Sequence, residues 1–291
     1  MCWGLGTVIS KAALDEISPL SLLTIQLGSS VAILALIMRQ QGIPLRNDRQ
    51  TLLGRLGLLN PGVAYALSLL GLLTITASLS VVVWALEPLL ILVLAGFFLG
   101  ERITPGLVAL SLAAVVGMVF AVYEPTIGRG ELVGVTLTLA GVGCCAVYTV
   151  ITRRFIPKAA ETGQVVLSQQ AHALLLAFGL VAVVALLGGQ VVPDGLTPLG
   201  LASAVGSGVL YYAGAYWFYL GALRRVPASI AASSFYLIPI VGLAGGALLL
   251  GERLALSQWL GAAIVLGSVL SIAARSTDRG LPMAGFGAGP G

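Results

Sequence analysis

The sequence predicts an all-α integral membrane protein: ten transmembrane helices, arranged as two inverted five-helix repeats around a central cavity. Three observations predict it. First, of 291 residues 58% are hydrophobic and 9% charged, where soluble domains carry about 25% charged residues. So little polar surface cannot cover a globule in water, and lipid is the expected solvent. Second, a string recurs: Leu99-Gly100-Glu101-Arg102 returns as Leu250-Gly251-Glu252-Arg253, an offset of 151. Third, Lys and Arg divide unevenly between alternate loops.

Apolar runs interrupted by Pro, Gly and charge place the spans near 1–14, 18–38, 56–75, 79–99, 105–123, 132–151, 164–187, 199–221, 228–250 and 256–273. Each needs ~20 apolar residues to cross ~30 Å of hydrocarbon. The first is short, rising only ~21 Å, which implies that a few native residues are missing ahead of it. Its apolar run continues to Lys11 and reads as a helix, not a cleavable signal. Ser18-Pro19, Thr104-Pro105 and Thr197-Pro198 each set a capping hydroxyl before a proline at the first helical position. The tail, 276–291, is Gly-rich from Gly280 onward and is expected to be disordered.

The recurrence extends beyond one string. Pro88 and Pro239 each lie eleven residues before their Leu-Gly-Glu-Arg. Thr7-Val8-Ile9-Ser10-Lys11 matches Thr149-Val150-Ile151-Thr152-Arg153, and Gly62-Val63-Ala64-Tyr65 resembles Gly208-Val209-Leu210-Tyr211. Matches in one order suggest a duplication, with repeats at 1–123 and 124–275. Five spans is an odd number, so the second copy starts from the opposite face. With the N-terminus inside, the cytoplasmic segments hold Arg39, Arg46, Arg49, Arg55, Arg102, Arg153, Arg154, Lys158, Arg224, Arg225, Arg275 and Arg279. The outer segments hold Lys11, Arg129 and Arg253, completing the fifteen Lys and Arg. That bias obeys the positive-inside rule and puts both termini in the cytoplasm.

Several classes are excluded. The net charge of +4 is spread over short loops with no cluster larger than an Arg pair, so no nucleic-acid partner is expected. Cys2, Cys144 and Cys145 have neither a disulfide framework nor zinc spacing. They read as small packing residues, and no metal or cofactor is expected. One His and no Asp within any span leave an intramembrane enzyme almost without motif support. Inverted repeats are instead a hallmark of secondary transporters, whose substrate lies near the midplane between the halves.

Pro88 followed by Leu99-Gly100-Glu101-Arg102, its second copy from Pro239 to Arg253, and Pro227-Ala228-Ser229-Ile230-Ala231-Ala232 before span nine resemble the EamA module of the drug/metabolite transporter superfamily. The resemblance covers nearly the whole chain and implies a multi-pass exporter of the bacterial inner membrane. Its cargo would be amino acids or related metabolites, aromatic amino acids being the most specific expectation. It would work by alternating access, with lipid and a small molecule as partners. Ten spans can enclose a path in one chain, so a monomer is expected. A phosphorylated cargo would want cations at the midplane, and the spans show none. A lipophilic cation remains an alternative.

Polar groups at membrane depth usually face a cavity or a partner. Glu87 sits in span four directly before Pro88, and its counterpart at offset 151 is Ile238. Duplicated frames are symmetric and cargoes are not, so Glu87 is the leading candidate to meet an ammonium or carry a proton. The alternative is a carboxyl satisfied by a neighbouring helix. His172 and Gln169 are three apart on one face of span seven. His172 suits proton coupling by its titration range, or is a hydrogen-bonded packing element. Trp84, Tyr65, Tyr148, Tyr211, Tyr212 and Phe235 complete the candidate substrate site, because ring faces suit apolar side chains and can hold an ammonium. Tyr216 to Tyr219 stand near Arg224–Arg225 and fit an interfacial belt. Pro88 and Pro239 read as hinges. Glu101–Arg102 and Glu252–Arg253 read as helix caps and gate-end ion pairs. Gly141, Gly143, Gly206, Gly208, Gly242, Gly245 and Gly246 are expected where helices touch.

Overall fold

The structure is a computed structural model that describes residues 2–45, 51–99, 105–122, 129–155, 162–191, 195–218 and 237–278. In chain order its helices are α1 (Cys2–Ala13), α2 (Pro19–Gln40), α3 (Thr51–Arg55), α4 (Ala64–Leu72), α5 (Ala77–Trp84), α6 (Glu87–Leu99), α7 (Pro105–Val122), α8 (Arg129–Phe155), α9 (Thr162–Leu186), α10 (Pro198–Gly208), α11 (Leu237–Leu249) and α12 (Leu256–Asp278). Among the described residues there is no strand. Three helices are long and apolar enough to cross a membrane: Pro19–Gln40, Gly130–Thr152 and Thr162–Leu186. Shorter apolar helices cover Ala77–Ile91, Val108–Gly117 and Leu256–Ser268.

Two expected spans are interrupted, and proline causes both interruptions. The run expected at 56–75 begins as helix at Thr51, passes through a 3₁₀ turn at Leu56–Leu58 and a wide turn at Leu59–Val63, then resumes as α4. Asn60 leaves the helical region (φ −142°, ψ 119°) because Pro61 crowds the residue before it. The run expected at 79–99 divides into α5 and α6 at Ala85–Leu86. A proline such as Pro88 lacks an N–H, and in an unbroken helix a proline ring would clash with the carbonyl one turn back. Glu87 therefore opens α6 beside a gap in the helix.

The expected caps form only in part. Thr197 Oγ1 accepts from Gly200 N–H at 3.0 Å. The Ser18 hydroxyl makes no cap bond and instead donates to Ser21 Oγ at 2.9 Å. Thr104 lies outside the described residues. Thr76, which was not singled out, caps α5 by accepting from Leu79 N–H at 3.0 Å.

Helices from the two parts of the chain pack on one another. α2 lies on α9, α7 on α12, and α5 on α11. α1 lies on α10, α4 on α8. Leu22, Leu23, Leu27 and Met38 of α2 are fully buried. The outward surface carries many large apolar side chains. Leu186 is 87% exposed, Leu248 82% and Phe97 77%, a surface that a water-soluble monomer would not present. Not every glycine marks a contact. A Cβ on Gly141 would meet the Ala64 carbonyl, whereas at Gly143 or Gly206 it would meet nothing within 4 Å. The expectation that Gly143 and Gly206 serve close helix packing is therefore corrected.

Candidate functional site

Four rings converge where α4, α5 and the wide turn Val209–Gly214 after α10 come together. Tyr65 stacks on Trp84 with centroids 5.4 Å apart. It meets Tyr211 and Tyr212 edge-on, each at 5.2 Å. Tyr211 and Tyr212 lie 5.1 Å apart. The wide turn brings both tyrosines inward from successive positions; a regular α-helix would separate them by about 100°. Trp84 Nε1 donates to Ser68 Oγ at 3.1 Å, which fixes the indole against Tyr65.

Beside these rings lies a small cavity, part of it open to the surroundings. It is lined by Thr7 and Ser10 of α1, Tyr65, Ser68, Leu69 and Leu72 of α4, and Tyr211 and Tyr212. Ring faces and hydroxyls thus share one space, and among the described residues no lining side chain carries a formal charge.

A chain of buried polar groups adjoins it. Tyr216 OH donates to Asn60 Oδ1 at 3.4 Å. Asn60 Nδ2 donates to Cys145 Sγ at 3.2 Å, and Cys145 S–H donates to Glu87 Oε1 at 3.1 Å. The chain joins both helix interruptions through one thiol of α8. Two expectations change here. Cys145 is more than a packing residue, since it relays between Asn60 and Glu87. Tyr216 is 7% exposed and packs edge-on against Trp3 at 5.6 Å, so it belongs to this interior and not to an interfacial belt. The sequence signal for Asn60 was the Asn60-Pro61 pair inside an apolar run, a breaker dipeptide.

Gln169, Tyr148 and His172 sit elsewhere. Tyr148 OH donates to Gln169 Oε1 at 2.7 Å, and Gln169 Nε2 donates to the Leu53 carbonyl at 3.2 Å. The pair ties α8 and α9 to α3. His172 Nδ1 lies 2.7 Å from the Ser168 carbonyl one turn back, and its ring is beside Gly54. Neither Gln169 nor His172 lines the cavity. Phe235, Glu101 and Arg102 lie outside the described residues, as do the side chains of Pro88 and Pro239. Glu252 accepts from Ala77 N–H at 2.7 Å and Ser78 N–H at 3.0 Å, at the start of α5. Arg253 is exposed.

The sequence pattern of the EamA-like transporter family matches residues 1–123 and again 132–274. The chain belongs to the EamA-like transporter family. A transporter of Archaeoglobus fulgidus described as uncharacterized is 26% identical over 271 residues, covering 91% of this chain and 92% of that protein. A solved crystal structure, titled only as that of a protein, superposes with a TM-score of 0.63 at 18% identity. It covers 97% of this chain and 98% of its own, and that likeness speaks to the fold. An EamA-like transporter moves small molecules through a membrane.

Proposed function

We propose that this chain is a secondary transporter that exports amino acids, aromatic ones foremost, or related small metabolites across the bacterial inner membrane by alternating access. The observation that carries the reading is the cavity itself. Its lining comes from α1 and α4 on one side and from Tyr211 and Tyr212 on the other, so relative movement of the two parts of the chain changes its access. Helix pairing supports two five-helix repeats: exchanging the halves turns the α1–α10 contact into the α8–α4 contact, while α2–α9, α5–α11 and α7–α12 map onto themselves. The cavity is narrow in this state, so a cargo the size of an amino acid enters only when the helices around it part.

In this reading the rings of Tyr65, Trp84, Tyr211 and Tyr212 take the cargo side chain. Ser10, Ser68 and Thr7 give hydrogen bonds to its polar end. Glu87 receives the ammonium when the cavity widens toward the interrupted helix. Tyr148 and Gln169 tie α8 and α9 together, His172 bonds within α9, and Phe235, outside the described residues, is kept from the sequence as a further candidate ring. A lipophilic cation is the second reading, favoured by the same carboxyl beside aromatic faces.

The test is counterflow of labelled phenylalanine, tryptophan, threonine and a quaternary ammonium dye in proteoliposomes, with and without a proton gradient. Accumulation of an amino acid ahead of the dye is the expected result. Flux of the dye alone moves the assignment to the second reading, and no flux over a broad panel ends both.

A further inference from the structure

At one end of the bundle two carboxylates each cap a helix belonging to the other half of the chain. Glu16, in the turn after α1, reaches the start of α10. Its Oε2 accepts from Thr197 N–H at 2.9 Å and its Oε1 from Thr197 Oγ1–H at 2.8 Å. Glu252, between α11 and α12, reaches the start of α5. It takes the two backbone N–H groups of Ala77 and Ser78 and the Ser78 hydroxyl at 2.6 Å. A carboxylate on free amides at a helix start is a strong, charge-assisted contact aligned with the helix dipole.

The surroundings are shaped for these contacts. Gly200 leaves room for the Glu16 carboxylate, and Gly246 leaves room for Glu252 against Ser78; a Cβ at either would strike the acid. Lys11 donates to the Leu72 and Ile75 carbonyls at 2.7 and 3.0 Å. The turn between α4 and α5 therefore carries a cation on its carbonyl side and an anion on its amide side. Ser21 Oγ also donates across the halves, to the Val191 carbonyl at 2.6 Å. The parts recur in the sequence: Glu101 stands 151 before Glu252, and Ala228-Ser229 stands 151 after Ala77-Ser78. That second set lies outside the described residues.

We propose that Glu16 and Glu252 form a clasp that keeps this end of the transporter closed, and that transport requires both contacts to break when the cavity turns toward this face. They are positioning residues and touch no cargo. The proposal rests on the transporter reading above, and the charge distribution of the loops puts the clasp on the outer face. Contacts made in one state only set the balance between states.

The experiment uses the full chain carrying Ser68→Cys, a cavity-lining position, in right-side-out and inside-out membrane vesicles. A membrane-impermeant thiol reagent is added, and modification at position 68 is followed by mass spectrometry. With Glu16→Gln and Glu252→Gln together, labelling from the outer face should rise about tenfold or more and labelling from the inner face should fall. A cap that merely stabilises the fold would move both faces in the same direction or neither, and either pattern overturns the proposal. Ser78→Ala alone removes one of the three bonds to Glu252. It should give a smaller change of the same sign in a chain that still folds, and no change there also overturns it. Labelling needs no cargo, so the two readings fail separately. Flux without the labelling shift removes the clasp, and a labelling shift without flux removes the cargo assignment.

Discussion

Two buried polar regions lie side by side in this bundle, one closed on its own side chains and one bordering open space. Where α2 meets α9 and the wide turn after α10, side chains pair with one another, Gln26 Oε1 alone among these groups lacking a partner. Gln26 Nε2 donates to Ser10 Oγ and Ser207 Oγ, each at 2.8 Å. Ser30 donates to Gln170 Oε1, and Gln170 Nε2 donates to the Tyr212 carbonyl at 3.1 Å. Gln26 and Gln170 are 1% exposed, Ser30 and Ser207 are fully buried, and Ser10 is 4% exposed. In the neighbouring cavity the hydroxyls and rings of Thr7, Ser10, Ser68, Tyr211 and Tyr212 border open space instead. Ser10 belongs to both. The difference separates glue from site. Amide and hydroxyl groups that pair across helices hold them together in place of a hydrophobic drive that lipid cannot supply, while Thr7, bonded to the Trp3 carbonyl, and Ser68, bonded to Trp84, also border space where a ligand can meet them.

The comparison breaks most readily at the seam. Gln170→Leu strands Ser30 and the Tyr212 carbonyl, each buried group costing about 1–3 kcal/mol when left without its partner. The expected outcome is a fall in melting temperature and in folded yield, read by thermal-shift chromatography, with flux of every cargo lost together. Glu87→Gln should act differently. It keeps shape and folding, yet lowers amino-acid flux by about tenfold, the scale of one charge-assisted contact of ~1.4 kcal/mol. At matched expression Ile238→Ala should do less, and equal effects would take Glu87 out of the site.

Smaller still is the expected effect of Trp84→Ala or Tyr211→Ala. Ring pairs are worth about 0.5–1.5 kcal/mol, so apparent affinity for phenylalanine should weaken several-fold while threonine changes little. A uniform loss over cargoes would place these rings with the seam. The smallest change is expected for His172→Gln, because His172 bonds within its own helix and lies away from the cavity. Its flux and pH profile should match the parent.

Much of this was legible in the sequence, for identifiable reasons. Apolar runs and prolines located the helical stretches, since a membrane span writes its length into composition. Trp84, Tyr65, Tyr211 and Tyr212 could be chosen together because they lie deep in their runs. The interruption at Asn60 was missed, although Asn60-Pro61 sits in plain view, because the surrounding residues are uniformly apolar and keep the helical period. Cys145 was missed because a thiol inside an apolar run has no local sign of what faces it. Its role depends on the wide turn Leu59–Val63, α6 and α8 meeting, which no single segment records. Tyr216 was misplaced for the converse reason: distance along the chain from Arg224 suggested an interface, while the wide turn after α10 rotates the ring inward.

The central claim is that the ring-lined cavity, and not the paired seam beside it, receives the cargo. Tritiated phenylalanine binding to the purified, detergent-solubilised chain tests this most directly, with Tyr211→Ala compared against the parent at equal melting temperature. The account predicts saturable binding that weakens several-fold in Tyr211→Ala and is displaced by tryptophan better than by threonine. Binding unchanged in Tyr211→Ala, with the same order of displacement, would contradict it.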